Sequence, residues 1–247
     1  VRRPRRSPEP GLAAPALAAD ATVPFDSGTI SGLGVRNIGS AAMSGRIASL
    51  DAVNTPDGKL TLYVGAASGG VWKSMDGGTT FDPVFDDQPV QSVGAVEIDR
   101  RNPETVWVGT GEAWTRNSVS IGNGIYRTTD GGDTWQHLGL DGSERISDIR
   151  IDPRASDTVY ACVTGRLWSD SLERGVYRTR DGGKTWQQVL KAPNASTGCA
   201  SLSMDEKNPD VLYAALWDFR RKGWTFRSGG ESPTATSASA LMVTRDG

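Results

Sequence analysis

One eight-residue phrase recurs along this chain: Thr179-Arg180-Asp181-Gly182-Gly183-Lys184-Thr185-Trp186. Residues 128–135 repeat it, residues 74–81 repeat it with Phe81 in place of Trp, and Thr244-Arg245-Asp246-Gly247 matches its opening half. Asp-Gly and Gly-Gly supply the positive φ angles that a tight turn between right-twisted strands requires. The Asp carboxylate can accept hydrogen bonds from the N–H groups of its own turn. The Thr then re-enters a strand, and the closing Trp or Phe offers a large apolar face.

The turn aspartates Asp76, Asp130, Asp181 and Asp246 lie 54, 51 and 65 residues apart. A repeat of this length points to a propeller or a solenoid. No window carries an apolar 3.6-residue period long enough for a helix, so the units are β. The third unit is the clearest, with strands expected over 145–151, 158–163, 175–179 and 185–190. The second unit gives strands at 93–98, 105–109, 124–128 and 134–138, and the first at 46–50, 61–65, 70–74 and 80–84. The fourth gives 200–204, 211–216 and 240–244. Four short strands per unit, punctuated by Gly, Asp and Pro, predict an all-β fold: a β-propeller of four-stranded antiparallel blades. About four blades are expected, the last of them incomplete.

The phrase resembles the Asp box of BNR-repeat β-propellers, in which Asp76, Asp130, Asp181 and Asp246, with Phe81, Trp135 and Trp186, would be structural. That superfamily includes sialidases, xyloglucanase-type glycosidases, sortilin receptors and photosystem II assembly factors. Val35-Arg36-Asn37-Ile38-Gly39, Gly45-Arg46-Ile47, residues 67–73 and Gly109-Thr110-Gly111-Glu112 look most like the bacterial sortilin-like, glycosyl-hydrolase-like group. The resemblance covers roughly residues 34–247. It bears on fold, because one fold hosts many functions.

The array is expected over residues 45–247. Residues 1–24 form a basic, Ala- and Pro-rich tail that reads as an extended arm or linker rather than a clean export signal. Residues 25–44 form a lead-in in which 33–38 could supply a strand to an incomplete blade. No apolar run approaches the length of a membrane span. A net charge of −2 gives no general attraction to nucleic acid. Cys162 and Cys199 fall in neighbouring blades, so they are either a disulfide or two buried thiols.

Function on a rigid scaffold belongs to the long loops, here those joining the second and third strands and those leading into each blade. The longest, beginning at Trp217, alternates aromatics and cations through Arg220, Arg221, Trp224 and Arg227. Trp114, Arg116 and Trp168 stand in the equivalent loops of the second and third units. Exposed Trp and Arg are common anchors of protein interfaces, and the same mix can stack sugars. A glycosidase needs two carboxyl groups facing one sugar. The candidates are Glu112, Asp170, Glu173, Asp218, Asp86 and Asp87, none of them in a phrase that looks catalytic; Glu112 is expected to bond backbone or Arg116 within its loop. Arg36 resembles the first of a sialidase's three carboxylate-binding arginines, but Gly39 stands where that phrase has Pro. One histidine, His137, excludes a multi-histidine metal site, and each Asp-box turn offers too few oxygens for calcium.

On these grounds the sequence predicts a non-catalytic binding or scaffold module without metal or cofactor. By the resemblance its partner would be a protein, such as a membrane complex of photosynthetic type on which it docks as an extrinsic subunit or assembly factor. The resemblance also places it outside the cytoplasm, periplasmic or secreted. The alternatives are a glycoside hydrolase or a glycan-binding lectin, or a fragment of a larger propeller.

Overall fold

The computed structural model describes residues 46–55, 58–229 and 236–247. The chain divides into two compact units, Val1–Asn37 and Ile38–Gly247, and all described residues belong to the second. The expected tail over 1–24 and the lead-in over 25–44 lie outside them.

Among the described residues, four antiparallel sheets follow one another. Blade one holds β1 (Ile47–Asn54), β2 (Leu60–Ala66), β3 (Val71–Ser74) and β4 (Asp82–Pro83). Blade two holds β5 (Val93–Ile98), β6 (Val106–Thr110), β7 (Ile125–Thr128) and β8 (Gln136–His137). Blade three holds β9 (Ile146–Asp152), β10 (Ala155–Val163), β11 (Gly175–Thr179) and β12 (Gln187–Lys191). In each, strands pair in chain order. Blade four is built differently. Its β13 (Thr197–Met204) pairs with the long β14 (Leu212–Lys222). The first half of β14 pairs with β16 (Ala240–Thr244), and its second half with β15 (Thr225–Ser228). The stretch expected as a loop from Trp217 is therefore a hairpin extension of the sheet.

The outer strands of blades one and two are shorter than expected, two residues each, whereas that of blade three keeps five. Thr80 donates both its backbone N–H and its hydroxyl to the Asp76 carboxylate, and Thr134 does the same to Asp130. Thr185 makes the same two bonds to Asp181, so the box turn is built alike in all three blades. The box glycines take the positive φ that the phrase demands, 72° and 102° at Gly131 and Gly132. A Cβ at Gly183 would come within 2.7 Å of the Leu138 side chain and 3.0 Å of Trp107, so a larger residue there would push on the preceding blade.

Three apolar clusters form the core, one between each pair of neighbouring blades. Along the innermost strands, side chains of one blade cap the free edge of the next. Ser49 accepts the Val96 N–H at 3.0 Å, Asp51 the Ile98 N–H at 2.7 Å and Asp148 the Leu202 N–H at 3.0 Å. Edge N–H groups that would otherwise invite another strand are thereby satisfied. Cys162 of β10 and Cys199 of β13 form a disulfide with a Cα–Cα separation of 5.2 Å, tying blade three to blade four. Among the described residues no helix is long and apolar enough to cross a membrane.

Candidate functional site

The starts of the inner strands and the segments that follow the second strands meet on one face. There Ala48, Gly94, Ser147 and Ala200, one from each blade, surround a cavity of about 310 Å³. Small residues at these four positions leave the space open. Trp114, 61% exposed, and Trp217 also line it. Trp217 is held from behind: its indole N–H donates to Ser228 Oγ at 2.7 Å, and its ring packs on Phe219 at 5.0 Å and Phe226 at 5.4 Å. The hairpin formed by β14 and β15 thus fixes the orientation of one wall of the mouth.

The cations predicted as exposed anchors divide on inspection. Arg220 is buried and paired with Asp170, and Arg221 donates to Asn117 of the blade-two loop at 2.5 Å. Arg227 lies 3.7 Å from Asp218 and donates to the Gly229 carbonyl. Arg174, absent from the sequence-based set, underlies them. It stacks over Phe219 at 4.7 Å and donates to the carbonyls of Thr164, Ser196 and Ser169. Burial, aided by the charge of Arg220, pulls its guanidinium down to about 10. These arginines organise the loops. Trp114, Arg116, Trp168 and Trp224 remain exposed, Trp224 the most at 93%.

Asp86 and Asp87 are exposed, and the other candidate carboxylates are likewise engaged. Glu112 is fully buried and takes a two-pronged contact from Arg46, with Nε donating to Oε1 at 2.7 Å. Its expected partner within the loop, Arg116, is not the one it uses: the first strand of the preceding blade brings Arg46 closer. Ser171 donates to Glu173 at 2.8 Å and holds its carboxyl below the usual range. Asp218 accepts from Ser196 Oγ at 2.8 Å and from the Ala238 N–H. Two carboxyl groups that sequence reasoning missed lie on the inner strands, Glu97 on β5 and Asp148 on β9. Arg150 lies between them, 3.2 Å from Glu97 and 2.9 Å from Asp148. Burial pushes Glu97 up to about 8, with Arg150 and Arg100 opposing and Asp51 and Asp148 adding to the rise. Asp148 is raised as well, again chiefly by burial. A charged residue inside an apolar strand such as Val93–Ile98 is the signal that would have marked them. Among the described residues no cluster of His, Cys, Asp and Glu is arranged to hold a metal ion.

The repeats also carry a family signature. The family model described as Sortilin-Vps10 (sortilin, neurotensin receptor 3) matches residues 69–195 and, in a second overlapping match, residues 123–246. The chain belongs to the Sortilin-Vps10 family. Its curated relatives bear enzyme names. An oligoxyloglucan-reducing end-specific xyloglucanase of Emericella nidulans is 31% identical over 141 residues, 53% of this chain and 16% of that protein. A xyloglucanase of a Paenibacillus species is 24% identical over 210 residues, 70% of this chain and 19% of that protein. The chain therefore spans about a fifth of the length of these relatives. Two solved GH74 enzymes share the fold. An ancestral GH74 enzyme has a TM-score of 0.55 at 16% identity, over 79% of this chain and 27% of that one. The Niastella koreensis GH74 enzyme has a TM-score of 0.52 at 20% identity, over 80% and 28%.

These relatives overturn the expectation of a non-catalytic scaffold, and with it the expectation that the protein is not an enzyme. The names of these relatives point to the glycoside hydrolase alternative instead. The error had a physical origin. Two carboxylates in a recognisable catalytic phrase need not fall within a chain that matches only a small part of each enzyme.

Proposed function

We propose that this family member takes part in glycoside hydrolysis on a xyloglucan-like polysaccharide, its blades contributing a face that holds the glycan. The observation that supports this reading is the central mouth, where Trp114 and Trp217 flank a floor of small residues. Sugars present C–H faces that pack on indole rings, and a floor without large side chains leaves room for the chain of sugars. The relatives named xyloglucanases supply the substrate class. Cleavage needs an acid and a second carboxyl group about 5–10 Å apart; this chain's part is the positioning of substrate. The Cys162–Cys199 disulfide supports an extracytoplasmic setting, where such bonds persist and where polysaccharide substrates occur.

The test is titration calorimetry with xyloglucan oligosaccharides, together with release of reducing ends. Trp114→Ala and Trp217→Ala should each weaken binding about tenfold, the scale of one lost stacking contact at about 1–3 kcal/mol. Binding unchanged in both variants would refute the placement of the glycan at the mouth. Absence of binding to any β-glucan in the parent protein would refute the substrate class.

A further inference from the structure

Arg174 stands where a blade does not need an arginine. It directly precedes Gly175, which takes a φ of 128° at the start of the third strand of blade three. The same place is held in blade one by Gly69, before Gly70 at 68°, and in blade two by Asn123, before Gly124 at 117°. The Arg174 side chain is buried, 1% exposed, and its two terminal nitrogens donate to the carbonyls of Thr164, Ser196, Arg166 and Ser169. Carbonyl oxygens satisfy N–H groups but carry no net charge. The acids that act on Arg174 are engaged elsewhere: Asp170 is paired with Arg220, and Asp218 lies 3.7 Å from Arg227. The remaining N–H of the guanidinium, at Nε, is buried and has no hydrogen-bond partner. Buried donors in folded proteins are nearly all bonded, so this one calls for an acceptor.

Arg174 is part of the wall of a cavity of about 220 Å³ between residues 171–174 and the linker 191–195. The cavity shares no residue with the mouth. Lys191, Asn194, Leu172 and Pro193 line it as well, and no acidic residue does. Glu173 lines an adjoining hollow together with Asp170, and accepts from Ser171 at 2.8 Å. Asn194 uses its Oδ1 to accept the N–H groups of Ser196 and Thr197 at 3.0 and 2.8 Å, which leaves its amide nitrogen as a donor. The lining thus offers two cations and an amide donor, with an apolar side at Leu172 and Pro193. One water takes up about 30 Å³, so the space suits a ligand of several heavy atoms rather than a single ion.

We propose that this cavity binds a small organic carboxylate, a sugar acid of the uronic type. One carboxylate oxygen accepts from Arg174 Nε and the other faces Lys191. The Asn194 amide donates to a hydroxyl of the ring, whose C–H groups pack on Leu172 and Pro193. A charge-assisted bond to a buried guanidinium makes recognition depend on the acid group. The site is separate from the mouth and does not rest on the reading of the mouth as a glycan site. A free sugar acid and an acidic unit of a polysaccharide present the same chemistry to it.

The test is a nuclear magnetic resonance titration of the full chain, labelled with nitrogen-15, with sodium glucuronate at constant ionic strength. The Arg174 Nε–H signal, slowed in exchange by burial, reports on the site. Saturable movement of that signal by glucuronate is expected, with none by glucose. Lys191→Glu changes an exposed residue, and circular dichroism checks that its fold is kept. It should weaken binding by about fivefold, the scale of reversing one exposed charge. Movement by polygalacturonate as well would identify a polysaccharide source, and movement by glucuronate alone a free acid; either supports the site. Xyloglucan binding through Trp114 and Trp217 should be unchanged in Lys191→Glu, so the two readings fail separately. A signal unmoved at hundred-millimolar glucuronate would overturn the proposal. So would equal movement by glucose, tighter binding of inorganic phosphate than of glucuronate, or unchanged affinity in Lys191→Glu.

Discussion

Trp186 of blade three donates its indole N–H to the carbonyl of Leu138, 2.8 Å away at the outer edge of blade two. The bond crosses from one blade to the blade before it, and the ring meets Trp107 edge-on at 6.2 Å. The Asp-box turn is thus more than a hairpin. It aims an aromatic back at its neighbour while Arg127 holds the turn's Gly182 carbonyl from the other side. Trp135, Val84 and Lys73 repeat the arrangement one blade earlier.

Replacing Trp186 should therefore loosen an interface rather than one turn. Trp186→Ala removes a half-buried indole and is expected to cost about 3 kcal/mol. Trp186→Phe keeps most of the packing and loses the hydrogen bond, at about 1 kcal/mol. Urea denaturation of the two variants measures both. Equal losses would mean that the bond, not the ring, carries the contact.

The box aspartates make stability depend on acid. Hydrogen bonds from Thr80 and Ser74 hold Asp76 down to about 2, those from Thr185 and Thr179 hold Asp181 at about 2, and Asp130 is lowered further. A carboxyl depressed in the folded state stabilises above its unfolded pKa, about 3.9, and that contribution disappears as pH falls through the folded value. The protein should lose stability between about pH 4 and pH 2. In the triple variant Asp76→Asn, Asp130→Asn, Asp181→Asn the stability should be lower at neutral pH and should fall less steeply across that window, the remaining slope coming from other lowered carboxyls such as Asp152 and Asp210. Thermal melts from pH 6 to pH 2 test this.

Glu97 works in the opposite direction. Its carboxyl is raised to about 8 in the folded protein, so the protonated form is favoured there relative to the unfolded chain. That contribution is complete below about pH 4.3 and is lost as pH rises towards 8. Glu97→Gln should remove the decline, so that the variant gains on the parent as pH increases from 5 to 8. Melting curves at constant ionic strength show it. A parallel pH dependence in the two proteins would mean that Arg150, 3.2 Å away, already neutralises the charge.

The propeller was legible because the box repeats in sequence, and each copy specifies its turn through Asp76, Asp130 or Asp181 with the glycines that follow. The mouth was legible only in part. Trp114 could be placed on a loop, yet Trp217 enters it by way of a strand pairing, β14 with β15, that no local pattern announced. The cations were misread for a related reason. Arg220 and Arg221 look exposed in a polar stretch, but their partners Asp170 and Asn117 lie 50 and 104 residues away. Contacts of that separation are set by how blades stack. The Arg46–Glu112 pair was hidden in the same way, at a sequence separation of 66.

The disulfide carries the last prediction. Cys162 and Cys199 are fully buried and close a loop with a sequence separation of 37 residues. Restricting the unfolded chain by a loop of that length is worth about 4 kcal/mol in the chain-entropy account. The double variant Cys162→Ala, Cys199→Ala should melt at a temperature lower by about 10 °C, at about 2–4 °C per kcal/mol for a domain of this size. Blade three joins blade four at this point, where β13 also leans on Asp148 through Leu202. The loss should therefore appear first in the amide exchange of β13 and β14, with blades one and two keeping their protection. Uniform loss of protection across all four blades would show that the array unfolds as one unit and that the bond stabilises it globally.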